Sequence, residues 1–145
     1  MRSVVEKSDL RNIEFFGQRP VHEVLKLLGA AEFLIFPSQC YENFPRVIVE
    51  AFAKGVPVLG SDLGSIRELI ENNRTGILFS PGDDEDLAHK AEWLFAHGNE
   101  LQEMSSSARL TFESKYTADR NYEQLMKIYD SAMATSRRLV RRALH

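Results

Sequence analysis

Apolar positions along this chain fall into two alternating patterns. Residues 32–38, "EFLIFPS", and residues 56–61, "VPVLGS", are short, near-continuous apolar runs, the form of a strand covered on both faces. "NIEFFG" (12–17) and "GILFSP" (76–81) have the same character, so four strands are expected. The intervening segments repeat at helical spacing. "PVHEVLKLLGAA" (20–31) places Val21, Val24, Leu25 and Leu28 together behind a proline suited to a first turn. "PRVIVEAFAKG" (45–55) starts at Pro45 and stops at Gly55, the asymmetry expected of a helix. "SIRELIENN" (65–73) reads as a short helix running into a turn. "DDEDLAHKAEWLFAHG" (83–98) reads as a capped amphipathic helix with Leu87, Ala91, Leu94 and Phe95 on one face. Beyond it the pattern is helical to the C-terminus, two or three helices with no strand.

Strands that alternate with helices are the pattern of βαβ units and a parallel sheet. The expected architecture is one α/β sandwich with a helical C-terminal tail, occupying residues 1–145 as a single domain. A chain of 145 residues is long enough to bury a working core. Its 43% hydrophobic and 27% charged residues are ordinary for a soluble protein. The net charge of −3 argues against a general nucleic-acid binder, which would carry a basic excess. The single cysteine, Cys40, rules out an internal disulfide and fits a reducing compartment. No apolar run approaches the roughly 18 residues of a membrane-spanning helix, and "MRSVVEKSDL" has no hydrophobic segment of signal-peptide length. A cytoplasmic protein is expected.

Ligands of open parallel sheets bind beyond the carboxyl ends of the strands. Here those ends are "GQRP" (17–20), "PSQCYENF" (37–44), "GSDLGS" (60–65) and "SPGD" (80–83). The second is the richest in polar groups and leads directly into a helix N-terminus, which favours a phosphate or another anion. Pro45 lacks an N–H, so the donors would be the N–H groups of Phe44, Arg46 and Val47. Glu50, in the second turn, lies among Val47, Ile48, Val49, Ala51 and Phe52, where a carboxylate is costly unless hydrogen-bonded. Its Cβ tilts toward the helix N-terminus, and a vicinal diol such as a ribose would match its two oxygens. Glu42, eight residues earlier, would lie near whatever is attached beyond the phosphate. Against this stands the ordinary alternative that both glutamates are solvated.

The stretch "FLIFPSQCYENFPRVIVEAFAKGVPVLGSDLGSIRELIENNRTGILFSPGDDEDLA" resembles the C-terminal domain of GT-B-fold retaining glycosyltransferases, the large family 4 group. The likeness covers almost the whole chain, from "NIEFFGQRPVHEVLKLLGAAEFLIFPS" to "FESKYTADRNYEQLMKIY". Its centre is an E-x7-E element, here Glu42 to Glu50, followed by "EAFAKGVPVLGSD". The resemblance implies a Rossmann-like parallel sheet flanked by helices, N-terminally incomplete, with a helical tail. It implies that Glu42 contacts the transferred sugar and acts at the catalytic centre. Glu50 would hold the ribose of a nucleotide-sugar donor, and the backbone of Asn43, Phe44, Arg46 and Val47 would hold the diphosphate. Glycine is common in the family where Asn43 stands, a change that backbone contacts tolerate. Glu68 would be structural support. No metal is expected, because charge on the leaving diphosphate would be met by the helix N-terminus and basic side chains.

The family's earlier βα units, with the arginine and lysine that grip the diphosphate, have no counterpart here; Arg2, Lys7, Arg11 and Arg19 do not align with that pair. The N-terminal acceptor-binding domain is also absent. The expectation is therefore a donor-binding piece that is inactive alone and needs that domain or a partner chain, with self-association possible. The alternative is a non-catalytic partner domain of a multi-chain glycosyltransferase. "DDED" (83–86) reads as helix caps and not a metal motif. His22, His89, His97 and His145 show no metal-ligand spacing with Cys40, which reads as a small buried filler. Trp93, Phe112, Tyr116, Tyr122 and Tyr129 read as core aromatics of the C-terminal helices. "SRRLVRRALH" (136–145) reads as a solvated basic helix end in preference to a membrane contact.

Overall fold

The computed structural model describes residue 5 and residues 10–143, with side chains through residue 135. Residues 1–4 and 6–9, Arg2 and Lys7 among them, and the side chains of the basic end 136–145 lie outside the described part. Helix α1 (Val21–Ala30) leads to strand β1 (Leu34–Phe36), α2 (Arg46–Ala53), β2 (Val58–Ser61), α3 (Gly64–Leu69) and β3 (Gly76–Phe79). Three further helices follow: α4 (Asp84–Ala96), α5 (Gly98–Lys115) and α6 (Ala118–Ala143). The strands pair in parallel in the order β1-β2-β3, with Leu34 opposite Val58 and Val58 opposite Gly76. Parallel neighbours need crossovers, and α2 and α3 supply them.

The two-residue alternation of the strands divides the apolar side chains between two cores. Leu34, Phe36, Val58 and Leu78 face a cluster with Leu28 of α1, Ile48, Ala51 and Phe52 of α2, and Ile66 and Leu69 of α3. Leu59, Ile77 and Phe79 face a second cluster with Leu87, Ala91 and Leu94 of α4. Helix α5 belongs to both, contributing Ala108 to the first and Met104 to the second. Every residue of β2 is buried, so the central strand is the seam between the cores. The α/β parallel architecture expected from the sequence is therefore present, with helices on both faces.

Three expectations need correction. "NIEFFG" does not join the sheet: residues 12–17 are exposed and form no strand, Phe16 keeping 42% of its surface. Strand propensity is a preference for a half-buried pleated surface, and without a ladder it fixes nothing. The edge strand β1 is not covered on both faces either, since Ile35 is exposed. Among the aromatics, Phe112 and Tyr116 pack on the first core, but Trp93, Tyr122 and Tyr129 are exposed. Phe95 is likewise exposed, although its ring meets Phe33 edge-on at 5.0 Å. Helical spacing identifies a face; it does not supply the surface that covers it.

One backbone approach sets the register of β3. A Cβ added at Gly76 would fall 2.0 Å from the carbonyl oxygen of Val58, which cannot withdraw without breaking the ladder. Gly76→Ala is expected to destabilise the fold by about 3 kcal/mol, the upper end of overpacking costs. Urea unfolding followed by circular dichroism would show this as a lowered midpoint at unchanged slope.

Candidate functional site

Because the strands are parallel, their carboxyl ends share one edge of the sheet. Three connections meet there: residues 37–45 after β1, residues 62–63 after β2, and residues 80–83 after β3. The Tyr41 ring lies against Gly64, so close that a Cβ there would meet it at 2.9 Å, and Gly64 has φ of +48°. Glycine alone meets both conditions without strain. The Gln39 side chain lies beside Gly82. "GQRP" follows no strand; within it, Arg19 Nε donates to the Phe16 carbonyl at 2.9 Å and the guanidinium pairs with Glu23.

The N-terminus of α2 opens into this crevice. Pro45 is its N-cap and offers no side-chain acceptor, while Ile48 N–H already donates to Pro45 O at 3.0 Å. The N–H groups of Phe44, Arg46 and Val47 have no acceptor among the described residues. Asn43 and Phe44 are exposed, and the Phe44 ring stands 6.5 Å from that of Tyr116. A groove of 460 Å³ lined by Phe44, Val49, Lys115, Tyr116, Asn121 and Gln124 adjoins the helix start.

The two glutamates occupy different surroundings. Glu50 is half-buried, 28% exposed at its side chain, and its Oε1 accepts from Arg46 Nη2 at 3.2 Å. That i,i+4 pair, with Arg46 80% exposed, is worth only a few tenths of a kcal/mol, so a ligand hydroxyl can compete for the oxygen. Glu50 Oε2 has no partner among the described residues. Glu42 sits in the exposed loop; its Oε1 faces the Ser38 hydroxyl at 3.1 Å and its carbonyl accepts from Ser65 Oγ at 2.6 Å. Both carboxylates thus keep an oxygen for an incoming donor. Neither Ser38 nor Ser65 was singled out by sequence; the Ser65 contact spans 23 residues, and no local pattern encodes it.

Asp62, at the end of β2, is held by both guanidinium arms of Arg67, Nη2 to Oδ2 at 2.6 Å. That hydrogen-bonded pair holds the Asp62 carboxyl below the ordinary carboxylate range, with the charge of Lys90 adding to it. Support near this turn therefore comes from Arg67; Glu68 is exposed and has no polar partner among the described residues. Asp83 caps α4 by accepting from Asp86 N–H, whereas the Asp86 carboxylate accepts from Ser80 N–H and Lys90 and so ties the preceding turn to the helix. Among the described residues no three His, Cys, Asp or Glu side chains are grouped to hold a metal ion. Cys40 is exposed, not a buried filler, because the loop carrying it turns outward. The Ser61 hydroxyl is fully buried and has no partner among the described residues. No described helix is long and apolar enough to cross a membrane.

The depressed folded titration of Asp62 makes its ion pair stabilising above the unfolded pKa, near 4. That contribution is lost as pH falls through the folded value. Arg67→Gln is expected to raise the Asp62 titration toward its ordinary position and to make the acid loss of stability shallower. Carboxyl-detected NMR titration with parallel acid unfolding measures both.

Residues 2–111 match the glycosyl transferases group 1 family. The amylovoran biosynthesis glycosyltransferase AmsK of Erwinia amylovora is 28% identical over 136 residues, covering 90% of this chain and 33% of that protein. A glycogen synthase of Mycobacterium tuberculosis is 32% identical over 107 residues, covering 74% and 26%. Among solved structures, Anabaena Alr3699/HepE in complex with UDP superposes with a TM-score of 0.83 at 25% identity, covering 90% of this chain and 35% of that one. The chain thus spans about a third of the length of these relatives. The fold is that of GT-B glycosyltransferases, and the chain belongs to the glycosyl transferases group 1 family.

Proposed function

We propose that this chain is the donor-binding part of a retaining glycosyltransferase of the family 4 kind, with a Rossmann-like sheet, which transfers a hexosyl-type sugar from a nucleotide-sugar donor to an acceptor. The observation that carries the reading is the open N-terminus of α2 flanked by Glu42 and Glu50, each with an unpaired oxygen. The N–H groups of Arg46 and Val47, with the positive helix end, receive the diphosphate. The loop backbone at Asn43 and Phe44 borders it. Glu50 accepts hydrogen bonds from the ribose diol, displacing its weak tie to Arg46. Glu42 accepts from hydroxyls of the donor sugar. HepE has been solved with UDP and with UDP-glucose, which supports a nucleotide-sugar ligand for the same fold.

In this reading the bond between the anomeric carbon and the diphosphate oxygen breaks, the electron pair leaves with the diphosphate, and positive charge grows on the sugar. Fixed N–H dipoles at the α2 N-terminus stabilise the departing oxygens without reorganising. The reading assigns no role to a metal. Residues 1–145 form one donor-side unit that is inactive alone and works in the cytoplasm with an acceptor-binding domain.

A second reading is a non-catalytic partner domain. It is favoured by the exposed apolar side chains of α6: Tyr122, Leu125, Met126, Tyr129 and Met133. Such a face is normally covered by another chain or domain.

Saturation-transfer NMR against UDP-, GDP- and ADP-sugars separates the two. Transfer to one ribose and base is expected, with Glu50→Ala weakening nucleotide binding tenfold or more, the weight of about 1.5–3 kcal/mol for hydrogen bonds to a charged group. Glu42→Ala is expected to spare the bare nucleotide and reduce the preference for its sugar-bearing form. Absence of transfer from folded protein would favour the partner-domain reading.

A further inference from the structure

We propose that Ser65 is a positioning residue for the Glu42 carboxylate, and that its hydroxyl sets how strongly the site prefers a sugar-bearing nucleotide over the bare one. This rests on the donor-site reading above and adds a residue to it from another part of the chain.

Glu42 lies in a loop whose residues from Gln39 to Phe44 are all exposed, so burial does not hold it in place. Among the described residues its carboxylate has one hydrogen-bond partner, the Ser38 hydroxyl at 3.1 Å, whose one proton is also within reach of the Cys40 carbonyl at 3.2 Å. One proton cannot serve two acceptors fully, which leaves the carboxylate weakly oriented by its own loop. The short contact is on the main chain: Ser65 Oγ donates to the Glu42 carbonyl at 2.6 Å. Ser65 occupies the first turn of α3, directly after the last residues of the central strand, and is itself half-buried. Beside it, the Tyr41 ring rests on Gly64. The hydrogen bond and the ring contact together tie an otherwise loose loop to the start of α3. A fixed carbonyl fixes the Cα of Glu42 and hence the reach of its carboxylate toward a sugar hydroxyl.

The nucleotide contacts carried by α2 do not depend on this tie, and only the Asn43 and Phe44 backbone beside the diphosphate follows it. Glu50 and the N–H groups of Arg46 and Val47 are carried by α2, whose Ile48, Ala51 and Phe52 are wholly buried. Removing the Ser65 hydroxyl should therefore act chiefly on the sugar increment. A purely structural role would lower both affinities together, or only the melting temperature.

The test uses this chain in calorimetric titrations with three probe pairs: UDP and UDP-glucose, GDP and GDP-mannose, ADP and ADP-glucose. For the pair that wild type binds, Ser65→Ala should lower the ratio of the two dissociation constants about three- to tenfold, the weight of one hydrogen bond. Bare-nucleotide affinity should stay within about twofold and the melting temperature should hold. Ser65→Thr and Ser65→Val, matched in shape, should separate, threonine keeping the ratio and valine losing it; this comparison stands even if the alanine variant misfolds. An unchanged ratio in Ser65→Ala and Ser65→Val, or a parallel loss of both affinities, overturns the positioning role while leaving the donor site intact. Wild type that binds no member of any pair overturns the donor-site reading and this role with it.

Discussion

The structure depends on the burial of one short helix. Ile48, Ala51 and Phe52 put one face of α2 entirely out of solvent, each large side chain contributing about 1.5–3 kcal/mol. Eight residues are too few to be helical alone, so α2 exists because the core holds it. Helix α5 grips its far end: Arg109 Nη1 donates to the Ala53 carbonyl and Ser105 Oγ to the Gly55 carbonyl at 2.6 Å. Arg109 satisfies a carbonyl that the helix terminus leaves unpaired and its cation complements the negative end of the dipole, while Ser105 holds the turn just beyond it. At the other end, the Tyr116 ring stands beside Phe44. With its carboxyl end capped and its flank buried, α2 presents its N-terminus at the crevice in a fixed position.

The crevice has a rigid half and a softer half. Glu50 rides on the buried helix, while Glu42 hangs in a loop secured by hydrogen bonds and one ring contact. Segments with exposed hydrogen bonds and little buried apolar surface open at low free energy. Salt bridges tie turns to helices: Asp62 after β2 to Arg67 of α3, and Glu71 ahead of β3 to Arg74 and to Lys115 of α5.

Much of this was legible before any coordinates. The strands β1, β2 and β3 were visible because buried parallel strands read as unbroken apolar runs, and α2 because proline and glycine bracket it. The E-x7-E spacing placed Glu42 and Glu50 at the loop and second turn where the structure has them. What failed was whatever a neighbour decides. Residues 12–17 had strand composition without a ladder to join, and Tyr122 and Tyr129 had core spacing without a surface to cover them. The Ser65 contact to Glu42 and the Arg67 grip on Asp62 are products of the fold, so no local periodicity announces them.

Amide-resolved NMR during titration with UDP-glucose, GDP-mannose and ADP-glucose tests most directly whether the α2 N-terminus receives a nucleotide sugar. One of these is expected to shift the amides of Phe44, Arg46, Val47 and Glu50 together with those of Glu42 and Ser65. The groove beside Trp93, lined by Glu100 and Glu103, should stay unchanged. Shifts centred on that groove, or on the exposed face of α6 with the α2 amides silent, would contradict it.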